Sequence, residues 1–131
     1  MKKVILALGS NTHRTRNMAL AKTSLRNLFP VITFTRAIIT ENINASSADF
    51  LNCLAEMETD LSVDTLKHLL KDIEHQLGDS HQQHANGTVI MDIDLLLYDH
   101  TRYKEADWER PYIKQLMTEL EQITSYNNDR N

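Results

Sequence analysis

Val4–Leu8 is an uninterrupted apolar run that stops at Gly9-Ser10-Asn11, the pattern of a buried strand entering a turn. Met18, Ala21, Leu25 and Leu28 then recur at helical spacing until Pro30 closes the segment. Val31–Thr40 is rich in β-branched residues and predicts a second strand, and the Asn- and Ser-containing stretch Glu41–Asp49 predicts a loop. Phe50–Thr59 alternates, with Cys53, Ala55 and Met57 on one side and Leu54, Glu56 and Glu58 on the other, and predicts a third strand. The clearest helix follows. Ser62 caps it, Asp64 lies in its first turn, Leu66, Leu69, Leu70, Ile73 and Leu77 form its stripe, and Gly78 ends it. Asp79–Thr88 reads as a polar loop with an Asn86-Gly87 turn, Val89–Tyr98 as a fourth strand, and His100–Arg110 as a polar connection. Pro111 opens a last helix with Ile113, Leu116, Met117, Leu120 and Ile123 inward, and 125–131 is a polar tail that frays.

The order β-α-β-β-α-β followed by a helix predicts an α+β, ferredoxin-like split βαβ fold. Its antiparallel four-strand sheet carries helices on one face, with the C-terminal helix added, in a single domain over residues 1–124. Such a fold hosts many functions, so the chemistry must be read from the side chains.

At 131 residues the chain is one domain long, and its 41% apolar and 24% charged residues are those of a globular protein. A net charge of −4 argues against a protein held to nucleic acid through phosphate contacts. The apolar runs are too short to span a bilayer, and Met1-Lys2-Lys3 enters a strand-like segment without a signal peptide's longer apolar region. The single cysteine, Cys53, fits a reducing compartment, so a cytoplasmic protein is expected.

The strongest chemical signal is Asp92-Ile93-Asp94 within an apolar strand. Residues two apart on a strand share a side, and two carboxylates bracketed by Val89, Ile90, Leu95 and Leu96 need a compensating cation or hydrogen bonds. Mg²⁺, held by one or two carboxylates with water and substrate phosphates, meets that need; the solvated outer face of an edge strand is the alternative. Glu74, beside Ile73 on the helix, is a third acid that either supports a ligand shell or is simply solvated. Gly9-Ser10-Asn11 offers backbone N–H groups and short polar side chains to a ligand, or is a plain turn with a helix cap. Phe50 and Asn52 share a strand side and suit stacking on a flat heterocycle and bonding its edge; core packing and a turn role compete. The six histidines lack the cysteine pair or His-Glu-x-x-His helix of a zinc site, and the sequons at Asn44 and Asn86 matter only in a secreted protein.

Together, Gly9-Ser10-Asn11, Phe50-Leu51-Asn52, the strand end Glu56–Thr59, Ile73-Glu74 and Asp92-Ile93-Asp94 resemble the 6-hydroxymethyl-7,8-dihydropterin pyrophosphokinase family over about Lys3 to Tyr98. The resemblance implies a ferredoxin-like fold and Mg²⁺-dependent transfer of a pyrophosphoryl group from ATP to the pterin hydroxymethyl oxygen in folate biosynthesis. By position, it implies that Asp92 and Asp94 bind magnesium as the catalytic pair. Phe50, Asn52, Thr40 and Asn11 would bind substrate, and Glu74 and Ser10 would support the site.

The departures lie on the nucleotide side. Just before its aspartate pair the family has R-W-G-P-R-x-L-D-x-D; the corresponding stretch here is Asn86–Asp92, where the tryptophan falls at Asn86, the phosphate-gripping arginine falls at Val89, and Gly87 survives. Two further family arginines fall at Asp79 and His81, and Pro111-Tyr112 stands where the family has Pro-His. No Lys or Arg occurs between Lys71 and Arg102, a stretch that holds Asp72, Glu74, Asp79, Asp92, Asp94 and Asp99. Phosphoryl transfer depends on cations around the developing charge, so two classes stand. One is the pyrophosphokinase. The other is a pterin- or nucleotide-binding module of the same fold, or a partner protein, without efficient catalysis. Lys71, Arg102, Arg110, Lys114 or a protein partner would have to supply the missing charge. A purely structural adaptor, with solvent-facing Asp92 and Asp94, is the third alternative.

Overall fold

The structure, a computed structural model, describes residues 1–42 and 48–130, without the side chains of residues 81 and 127–130. The sequon at Asn44 and part of the expected loop 41–49 lie outside the described residues.

β1 (Lys2–Ser10) is the sheet's central strand because every position from Val4 to Ser10 is apolar or small. It pairs antiparallel with β4 (Phe50–Thr59) on one side and with β5 (Asp92–Tyr98) on the other. The edges are β2 (Thr33–Phe34) and β3 (Ile38–Thr40), both on β4, and β6 (Thr101–Arg102) on β5. The antiparallel sheet therefore has six strands rather than four, in the order β2-β4-β1-β5-β6 with β3 beside β2 along β4.

Alternation along the strands sorts side chains into two cores. Val4, Leu6, Leu8, Cys53, Ala55, Met57, Met91, Ile93 and Leu95 face α1 (Arg14–Leu28) and α2 (Val63–Gln76). Ile5, Leu54 and Leu96 face α5 (Pro111–Arg130), which seals the opposite side with Ile113, Leu116 and Leu120. α2 begins as its sequence implies, with the Ser62 side chain accepting from Thr65 N–H at 3.2 Å.

Five further expectations change. The single strand Val31–Thr40 is broken at Thr35, whose Oγ1 accepts from Leu54 N–H at 2.9 Å. Phe34 pairs with Ala55 and Ile38 with Asn52, so four steps on one strand match three on the other, a β-bulge. One extra residue reverses the side to which later side chains point, and this turns Ile38 and Thr40 onto the α5 face with Asn52 and Phe50. The loop 79–88 contains a short helix, α3 (His81–Ala85), capped by Ser80. β5 starts at Asp92 rather than Val89, because the backbone N–H groups of Ile90 and Met91 bond a side chain instead of a strand. The connection 100–110 holds β6 and α4 (Glu105–Trp108). Finally, α5 runs through Arg130 where polarity marks a frayed tail, since no Gly or Pro follows Pro111 to break it. Among the described residues no helix is long and apolar enough to cross a membrane.

Candidate functional site

Three neighbouring strands meet in one row. Gly9 on β1 stands opposite Asp92 on β5 and opposite Asn52 on β4, all on the α5 face. One step along, Ala7 stands opposite Asp94. Two small residues in the central strand leave a trough between the acids and the amide, and the start of α5 roofs it. The result is a cavity of about 640 Å³, of the size that holds a small organic ligand. Thr40, Phe50, Asn52, Asp92 and Asp94 all line it.

Asn52 is buried, and its Nδ2 donates to Thr40 Oγ1 at 2.6 Å, which fixes the amide plane. Phe50 is half-buried two residues earlier on the same side. The aspartates are half-buried as well, and their carboxyls carry opposing demands. Burial is the larger cause that raises Asp94, the charge of Asp92 adds to it, and the Lys104 ammonium opposes them; the group reaches about 7. Asp92 is raised first by burial and then by Glu74, against Asp94, His84 and Lys71. The pair is thus half withdrawn from water and not fully compensated by the cations around it.

Three of the expected site residues lie outside the cavity. Ser10 is buried, and its Oγ donates to Thr12 O at 3.1 Å. Asn11 bonds the segment that leads to β5: its Nδ2 donates to Gly87 O at 2.8 Å, and its Oδ1 accepts from Val89 N–H at 2.7 Å. Glu74 is 2% exposed rather than solvated, and its Oε2 accepts from Ile93 N–H at 2.7 Å. That bond lies between the two aspartates along β5. Its Oε1 accepts from Lys71 Nζ at 3.1 Å.

Sequence reasoning passed over Glu41 and Asp107, which line the cavity with Arg110 and Tyr112, and Lys104, whose Nζ stands 4.0 Å from Asp94 Oδ1. Asp79, read as loop, is buried and bonds the backbone before Asp92. Of the cations counted as substitutes, Arg110 reaches the cavity with its Nε 3.2 Å from Asp107 Oδ1. Arg102 stacks on Trp108 and Lys114 pairs with Glu109. A signal for Arg110 existed in its place just before the helix opened by Pro111, but only the packing of α5 onto the sheet turns it toward the acids.

The donor set suits a hard divalent cation. Two adjacent carboxylates with suppressed acidity gain from a nearby positive charge, and Mg²⁺ takes oxygen ligands of this kind. Among the described residues no group of three or more His, Cys, Asp or Glu forms a closed protein cage. The remaining positions around such an ion would be left to water and to ligand oxygens, as in sites that meet the metal together with phosphates.

The family model described as 7,8-dihydro-6-hydroxymethylpterin-pyrophosphokinase matches residues 5–122 of the chain. No curated protein matches it.

Proposed function

Since the chain belongs to the 7,8-dihydro-6-hydroxymethylpterin-pyrophosphokinase family, we propose that it transfers the pyrophosphoryl group of ATP to the hydroxymethyl oxygen of 6-hydroxymethyl-7,8-dihydropterin, with Mg²⁺, as a step of folate biosynthesis. The observation that carries this reading is the shared cavity, in which the Asp92–Asp94 pair faces Asn52 across the side-chain-free Gly9. A flat heterocycle meets Phe50 and Tyr112 as apolar surfaces, and the locked Asn52 amide bonds its edge.

Asp92 and Asp94 would hold the metal, which when bound neutralises phosphate charge and orients the polyphosphate. The pterin hydroxymethyl oxygen attacks the β-phosphorus in line. The bond from that phosphorus to the α,β-bridging oxygen breaks, AMP leaves, and the hydroxyl proton passes to solvent. This chain's residues do the positioning: Asn52, Thr40 and Phe50 orient the acceptor, and Arg110 approaches the phosphates from the α5 side. Orientation of this kind lowers the barrier without any covalent enzyme intermediate.

One observation favours the second reading, a binding module of the same fold. Among the described residues Glu41, Asp92, Asp94 and Asp107 line the cavity against Arg110 alone, and Arg110 is already paired with Asp107. A triphosphate gains little from such a wall without metal. Product analysis separates the two. Incubation with ATP, Mg²⁺ and the pterin yields the pterin diphosphate if the first reading holds. Saturable pterin binding with no diphosphate leaves the second.

A further inference from the structure

The site's two acids owe their place to backbone that is held from one side by buried carboxylates. Residues 90 and 91 lie outside the strand ladder, and Met91 is fully buried, so its N–H must find a partner inside the protein. Asp79 provides it. Its Oδ1 accepts from Ile90 N–H at 2.9 Å and from Met91 N–H at 3.2 Å, two consecutive amides on one oxygen. Its Oδ2 is in hydrogen-bond contact with His84 Nε2 from α3. Asp79 is itself fixed at the end of α2, where its N–H donates to Glu74 O at 3.0 Å just after Gly78 turns the chain at φ +98°. With Glu74 Oε2 on Ile93 N–H, Asp92 is bracketed in the sequence by backbone bonds to two buried carboxylates.

We propose that Asp79, buttressed by His84, is a positioning residue for the Asp92–Asp94 pair, which sets the direction in which Asp92 presents its carboxylate to a divalent cation. The inference rests on the metal-binding role given to that pair above. Asp79 does not line the cavity. It acts by fixing the backbone of the two residues that precede Asp92. Groups that orient metal ligands in this way affect metal affinity as well as stability.

The test uses Mn²⁺ as a paramagnetic stand-in for Mg²⁺, titrated into the intact protein and followed by loss of the free-ion signal in electron paramagnetic resonance. Asp79→Ala is expected to weaken Mn²⁺ binding about tenfold or more, and Asp79→Asn, which keeps an acceptor oxygen, to return it to within about threefold of wild type. Thr59→Val serves as the control for stability alone. Thr59 is buried at the far end of β4 and accepts from Leu61 N–H at 3.1 Å, so its loss lowers the melting temperature without moving the Mn²⁺ affinity. If Asp79→Ala does not fold, Asp79→Glu carries the same expectation, because the added methylene displaces the carboxylate while keeping its charge. Mn²⁺ binding within about twofold of wild type in Asp79→Ala, or in Asp79→Glu where that variant replaces it, overturns the inference, as does an equal loss in Thr59→Val. A wild-type chain that binds no Mn²⁺ overturns the metal-binding role of the pair, and this inference with it.

Discussion

A Cβ placed on Gly9 would stand 2.8 Å from Asn52 Oδ1, inside contact distance. The amide cannot simply swing away, because its Nδ2 is held by Thr40 Oγ1 at 2.6 Å. Gly9→Ala therefore displaces Asn52 or breaks the Thr40 bond. We expect a fall in pterin affinity of roughly ten- to a hundredfold, since small misplacements of orienting groups have effects of this order. The accompanying overpacking should destabilise the fold by about 1–3 kcal/mol. Pterin binding by fluorescence, beside a denaturant titration, checks both.

Asp94 gives the metal-free protein a characteristic pH dependence. Its carboxyl rises to about 7 in the fold, mainly through burial and then through Asp92. An unfolded aspartate titrates near 3.9, so between about pH 4 and pH 7 the folded state binds more protons. Stability is then greatest below the unfolded value and falls as the pH rises toward 7. Urea titrations in EDTA across this window should show that decline, and Asp94→Asn should flatten it. Added Mg²⁺ should restore stability at pH 7 in wild type and not in the variant.

Glu74 is a test of the backbone support on β5. Glu74→Ala leaves Ile93 N–H without its acceptor in a buried position, a loss of about 1–3 kcal/mol. Lys71 is largely exposed and returns to water at little cost. Thermal or chemical unfolding reads the destabilisation, and Glu74→Gln should recover part of it because an acceptor oxygen remains.

Arg110 separates the two ligands. It is the cation that lines the cavity among the described residues, and a charged hydrogen bond to phosphate contributes about 1.5–3 kcal/mol. Arg110→Ala should therefore weaken ATP binding by roughly ten- to a hundredfold while leaving pterin binding close to wild type. Calorimetric titration of each ligand alone decides this.

Much of this architecture was legible because its signals are local. Alternation in Phe50–Thr59 sorted Cys53, Ala55 and Met57 from Leu54, as the two cores confirm. The same period of two put Asp92 with Asp94 and Phe50 with Asn52 on shared sides, and the cavity collects all four. The illegible parts depend on pairing between distant segments. Val31–Thr40 looks like one strand, and only the register against β4 reveals the bulge at Thr35 that brings Thr40 to the cavity. Asp79 lies in a run whose polarity is the same whether it is solvated or folded around the entry to β5. Glu74 looked like any helix glutamate for the same reason, and only contact with β5 shows it buried. Arg110 and Lys104 gain their place from tertiary packing that sets Arg110 at the cavity and Lys104 beside Asp94, which no spacing within the 100–110 connection encodes.

The most direct measurement is the initial rate of AMP release from ATP and Mg²⁺, with and without 6-hydroxymethyl-7,8-dihydropterin, in wild type and in Asp92→Asn. We expect AMP that depends on the pterin and disappears in the variant, at unchanged secondary structure. AMP release equal in the two proteins, or absent from wild type at concentrations where the pterin saturates its site, would contradict pyrophosphoryl transfer at the Asp92–Asp94 pair.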